Sequence, residues 1–153
     1  MKKINLTLFF VLFVFAGYAQ DNYSELVRSA LKVEKKALIA EVMELNAAEG
    51  NVFWPVYNDY ERELYAINTN YLALITDFAN NFENLSDEKA KELLTDANKI
   101  HAEKVQLEKT YVKKMLKILS PQKTVRFFQA TNKINIMVDA KLASEIPILE
   151  NIE

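Results

Sequence analysis

The stretch NVFWPVYNDYERELYAINTNYLALITDF, residues 51–78, decides the fold. Within it Phe53, Tyr57, Tyr60, Leu64, Ile67, Tyr71, Leu74 and Phe78 follow one another at alternating spacings of four and three. A helix turns about 100° per residue, so this spacing keeps all eight side chains on one stripe, whereas a strand would scatter them over both faces. The stripe reads as the seam of a helix packed lengthwise on another helix at a shallow angle. Leu72, Ile75, Ala79 and Phe82 widen it toward its C-terminal end. The predicted helix starts near Asn51 or Pro55, because Asn caps well and Pro is tolerated in a first turn, and it continues to about Phe82.

Three more helices flank this one. Upstream, residues 23–48 carry Leu26, Ala30, Val33 and Ala37 on one stripe with Val27, Leu31, Leu38, Val42 and Leu45 beside it, and Gly50 fits the position just past a helix end. Downstream, Leu85-Ser86-Asp87-Glu88 supplies a hydroxyl cap and two acids suited to the positive end of a helix dipole, predicting a third helix from Ser86 to about Ile118. Leu119-Ser120-Pro121 repeats the device and starts a fourth, with Phe127, Phe128, Thr131, Ile134, Val138 and Leu142 on its apolar side before Pro147 ends any helix. Residues 146–153 are expected as an extended tail, which makes residues 20–145 a single helical domain.

Composition supports the class. Two glycines and three prolines in 153 residues are too few for the turns of a β-rich fold. The expectation is therefore an all-α protein whose four helices form an elongated hairpin, bundle or cradle, with helices two and three long. Each of those two, at about thirty residues and 1.5 Å per residue, would span about 45 Å. Rods of that length call for an elongated bundle, or for a thin layer that covers its apolar faces by forming a homodimer.

The first residues bear on the compartment. Lys2 and Lys3 form a basic n-region, residues 6–15 are almost wholly apolar, and Gly17-Tyr18-Ala19 places small residues at the −3 and −1 positions of a signal peptidase site. Residues 1–19 are thus expected to be a signal peptide cleaved after Ala19, delivering the protein to the periplasm. The apolar run is short for a bilayer span, and Gln20, Asp21 and Asn22 follow at once. The chain has no cysteine, which excludes disulfides, thiolate metal sites and a cysteine nucleophile.

Residues that would mark an enzyme do not converge. His101 is the only histidine and lies mid-helix among Lys99, Glu103 and Lys104, with no Gly-rich turn presenting a serine. A di-iron carboxylate site in a helical bundle needs Glu-x-x-His on two helices, and Asn98 stands three residues before His101. No phosphate-binding loop is available, since Gly50 is the only glycine outside the leader. No catalytic residue, metal or cofactor is expected.

Charge is the conspicuous anomaly. Residues 109–138 carry Lys109, Lys113, Lys114, Lys117, Lys123, Arg126 and Lys133 without one acid, inside a chain of 19 basic and 21 acidic residues. Part of this is ordinary, since cations in the last turns of a helix suit its dipole and acids from other helices can pair with them. The functional reading is a basic surface that attracts acidic or partly unfolded polypeptides, or anionic lipid headgroups, by long-range steering. Its expected contact residues are Trp54, Lys113, Lys114, Lys117, Lys123, Arg126 and Phe127. Trp54 is included because it lies off the regular seam. Nucleic acid suits the charge but not the compartment.

Several stretches together are similar to a group of small exported helical proteins of Gram-negative bacteria. They are Glu49-Gly50 with Phe53-Trp54-Pro55-Val56-Tyr57, Leu85-Ser86-Asp87-Glu88-Lys89-Ala90, Lys109-Thr110-Tyr111-Val112-Lys113-Lys114, and the run from Arg126-Phe127-Phe128-Gln129 to Leu142-Ala143-Ser144-Glu145-Ile146-Pro147. More distantly the chain resembles the Spy/CpxP family of periplasmic stress proteins, which carry two LTxxQ motifs at helix starts. The corresponding stretches here read LSDEK at 85–89 and LSPQK at 119–123, with serine for threonine and lysine for glutamine. The resemblance implies an ATP-independent chaperone or envelope-stress modulator that binds polypeptides. A structural module that binds one specific envelope partner is the alternative.

Overall fold

The computed structural model describes residues 34–146, with the side chains of 141–145 excepted. The expected signal peptide, the first part of the expected first helix and residues 147–153 lie outside the described residues. The chain divides into two compact units, Met1–Glu41 and Val42–Glu153. Every described residue of the first unit, 34–41, is helical. The described residues are all-α: α1 at 34–43, α2 at Ala47–Asn81, α3 at Asp87–Met115 and α4 at Pro121–Glu145, with no strand among them. α2 and α3 are the longest, at 35 and 29 residues. No described helix is long and apolar enough to cross a membrane.

The start of α2 differs from the expectation, and the reason is local. α1 stops at Met43 because Glu44 takes a left-handed backbone, φ 44°, filling the stop position expected of Gly50. Asn46 then caps α2. Its side-chain oxygen accepts from the Glu49 amide at 3.0 Å, and the Glu49 carboxylate accepts from the Asn46 amide at 3.0 Å, a reciprocal capping box. Gly50 therefore lies inside the helix, and Pro55 is its ninth residue rather than a first-turn proline. A proline there removes one helical hydrogen bond and crowds the preceding turn, an unfavourable effect of about 3 kcal/mol that packing must offset.

That packing is aromatic. Phe53, Tyr57, Tyr60 and Leu64 are buried, as the seam predicts, while Ile67, Tyr71, Leu74 and Phe78 are half-buried. From α3, Leu93, Ile100, Leu107, Tyr111 and Met115 turn inward at spacings of seven and four. From α4 come Thr124, Phe127 and Thr131, one helical turn apart. Phe127 meets Phe53, Tyr57 and Tyr60 edge-on at centroid distances of 5.5, 6.2 and 5.7 Å, and Tyr60 also meets Tyr111 at 5.2 Å. Rings from three helices thus converge on one half of α2. Farther along, α2 meets α3 through Lys104 over the Tyr71 ring at 4.8 Å and Lys89 on Asp77 at 2.7 Å. This explains why the seam is dry only at its first four positions.

The two connections follow their serines. A 3₁₀ turn, Phe82–Asn84, leads to Ser86, whose hydroxyl accepts from the Lys89 amide at 3.2 Å. α3 ends at Met115, three residues before the expected Ile118, because the amides of Lys117 and Ile118 bond back to carbonyls only three residues away. Ser120 then accepts from the Lys123 amide at 3.3 Å, and Pro121 opens α4.

Gly50 offers a direct test of the revised start. A β-carbon there would meet Trp54 Nε1 and Cδ1 at 3.6 and 3.7 Å, ordinary contact distances, and the backbone is helical. Gly50→Ala is expected to raise stability by about 0.5–1 kcal/mol through helix propensity, read as a higher denaturation midpoint. A glycine needed for a left-handed stop would give a loss instead.

Candidate partner-binding surface

Six of the seven cations of residues 109–138 fall into two groups, and the seventh, Lys133, is exposed farther along α4. Lys123 and Arg126, in the first turns of α4, are engaged by acids that precede α2 or open it. Lys123 Nζ donates to Glu49 Oε2 at 2.5 Å, the same oxygen that accepts from the Asn46 amide. The capping box of α2 is thereby tied to the start of α4. The Lys123 ammonium, followed by the Asn46 amide, holds the Glu49 carboxyl below its ordinary range. Arg126 Nη1 donates to the Val42 carbonyl at 3.3 Å and to Glu44 Oε2 at 3.4 Å, satisfying a C-terminal carbonyl of α1. These two residues are structural ties first.

The second group lies at the C-terminal end of α3 and in the turn after it. Lys109, Lys113 and Lys117 recur at intervals of four, on one side of the chain, and all are exposed. None makes an ion pair with a described residue. Lys114 projects elsewhere, with Nζ 4.1 Å above the Tyr111 ring, a cation–π contact. Glu108, Lys109, Val112 and Lys113 line an open concavity of about 280 Å³. Beside it Leu116 is an exposed large apolar side chain.

Phe127 requires a correction. It was expected to contact a partner, but it is completely buried at the centre of the ring cluster and has no surface to offer. Its neighbour Phe128, half-buried, packs on Phe127 at 4.9 Å and Tyr60 at 6.3 Å. Trp54 is half-buried and edge-on to Phe53 and Tyr57 at 5.0 and 5.4 Å, with its indole against Gly50. It belongs to the wall of the aromatic cluster.

Burial pushes the phenols of Tyr57, Tyr60 and Tyr111 well above the ordinary tyrosine range, so they stay protonated. Tyr111 donates to Glu63 Oε1 at 2.7 Å. His101 is exposed on α3, and no group of three or more potential ligands among the described residues could hold a metal ion. An open groove of about 440 Å³ between α2 and α3 is lined by Asp77, Asp96, Lys99 and Glu103 beside Leu74 and Ile100.

Comparisons with known families, curated proteins and solved structures found no match to this chain. Sequence reasoning missed Asn46 and Glu49, although Asn-x-x-Glu before an apolar run is the spacing of a capping box.

The Glu49 tie has a signed pH dependence. Its carboxyl is lowered in the folded state, so its contribution is present above the ordinary carboxylate value and is lost as pH falls through the lowered one. Glu49→Gln is expected to lower the thermal midpoint at pH 7. Melting curves from pH 7 to 3 should show the gap to the parent closing at the acid end.

Proposed function

We propose that the chain is an exported, non-enzymatic protein that captures acidic or partly unfolded polypeptides at the C-terminal end of α3. One observation carries the reading: Lys109, Lys113 and Lys117 form an exposed one-signed row without an ion pair among the described residues, next to exposed Leu116. Lys123 and Arg126, by contrast, are tied to Glu49 and Glu44. A lysine row draws in acidic segments from beyond contact distance, and apolar surface beside it gives a non-specific hold once they arrive. Export and a periplasmic site of action are supported by Lys2, Lys3, the apolar run and the Ala19 cleavage signature. An ATP-independent chaperone or envelope-stress modulator fits such a surface, because capture of this kind uses no nucleotide.

Binding of a labelled acidic peptide, followed by anisotropy, tests the reading on protein recovered from envelope extract, whose first residue should be Gln20. Affinity should fall about tenfold or more between 50 and 300 mM salt, since exposed charges lose their reach beyond a Debye length of about 8 Å at physiological ionic strength. Replacing Lys109, Lys113 and Lys117 by Glu should abolish binding with the helical circular dichroism unchanged. Salt-independent binding, or full binding by that variant, refutes it. Binding confined to a single envelope protein would instead favour a dedicated interaction module.

A further inference from the structure

Sulfur is scarce in this chain and unevenly placed. There is no cysteine, and of the four methionines Met1 lies in the expected leader. Met43 and Met115 are completely buried, at 0% exposure, whereas Met137 is 62% exposed. Helical phase explains the difference. Thr124, Phe127 and Thr131 form the buried row of α4, and at 100° per residue Met137 lies about 110° round from them, on the side that carries exposed Lys133 and Ile136. Ile136 and Val138 on either side of it are 57% and 46% exposed, so the thioether sits within an open apolar patch.

With no thiol to compete, thioether sulfur is the group through which a peroxide reacts with this chain. A sulfur lone pair attacks one peroxide oxygen, the S–O bond forms and the O–O bond breaks. The departing hydroxide takes up the proton of the transferred oxygen and leaves as water. Sulfur gives up two electrons and hydrogen peroxide is reduced by them. Such an attack needs an approach path to the sulfur, which is open at Met137 and closed at Met43 and Met115. Its product is a polar, chiral sulfoxide, which disrupts a packed core. At Met137 the new oxygen meets water instead. Lys133, exposed one turn earlier, also stands at the spacing of four from which its ammonium can donate to that oxygen. The helix therefore keeps its shape while its surface changes from apolar to polar.

We infer that Met137 is an oxidant-reactive modification site, at which a peroxide switches the apolar patch of α4 to a polar one without unfolding the chain. The inference is independent of the polypeptide-binding proposal, which uses other residues. Cleavage after lysine and arginine leaves Met43, Met115 and Met137 in separate peptides, residues 37–62, 115–117 and 134–141, so each sulfur is read by itself. The purified protein, treated with hydrogen peroxide and mapped by mass spectrometry, should gain one oxygen at Met137 at least about tenfold faster than at Met43 or Met115. In denaturant the difference should vanish. The protein oxidised at Met137 should keep its helical circular dichroism and elute earlier from a hydrophobic-interaction column. Met137→Leu, a volume-conserving change at an exposed position, should elute unchanged after the same treatment. Equal rates at the three sulfurs of the folded protein overturn the inference, as does faster reaction at Met43 or Met115. Loss of helix on oxidation of Met137 alone overturns it too. So does an unaltered elution of the oxidised protein, or a shift that Met137→Leu shows equally.

Discussion

The rings of Phe53, Tyr57 and Tyr60 must be covered from two directions, and the rest of the second unit is arranged around that requirement. They occupy successive turns of one helix, so a single partner helix shields only one flank of the row. Tyr111 of α3 closes one side, and Phe127 of α4 closes the other, edge-on to all three. Losing a buried aromatic of this kind typically costs about 3–5 kcal/mol, comparable with the penalty of placing Pro55 inside the same helix. Among the described residues, Tyr57 Oη and Thr131 Oγ1 are buried without a hydrogen-bond partner.

Electrostatics then act at the margins of the cluster. Lys123 on Glu49 and Arg126 on Glu44 both join the start of α4 to residues at or before the start of α2, so they fix how α4 approaches the rings. Partly exposed ion pairs are individually weak, and here their role is placement. The lysines at the end of α3 lie outside this arrangement.

Much of the fold was legible because period and caps are local properties. Phe53 to Phe78 at spacings of four and three specify a helix wherever its ends fall, and Ser86 and Ser120 cap the helices they were expected to cap. What escaped were competitions between neighbours. Glu44, with no conformational licence of its own, takes the left-handed turn, and Asn46 with Glu49 captures the start of α2, so Gly50 is left inside a helix. The candidate surface was legible only in part. A run of like charges is visible in sequence, but which members are already paired depends on residues some 80 positions away, as Arg126 and Glu44 show. Phe127 has the composition of a contact residue and the position of a core one, a distinction that only packing makes.

Native-state hydrogen exchange tests most directly whether the ring cluster is the part on which the rest depends. Amides in residues 53–64, 107–115 and 124–131 should exchange slowest and together, at the free energy of global unfolding, while residues 67–81 and 87–100 of the same two helices open earlier. Equal protection along the whole of α2 and α3, or the greatest protection in their far halves, would contradict the account.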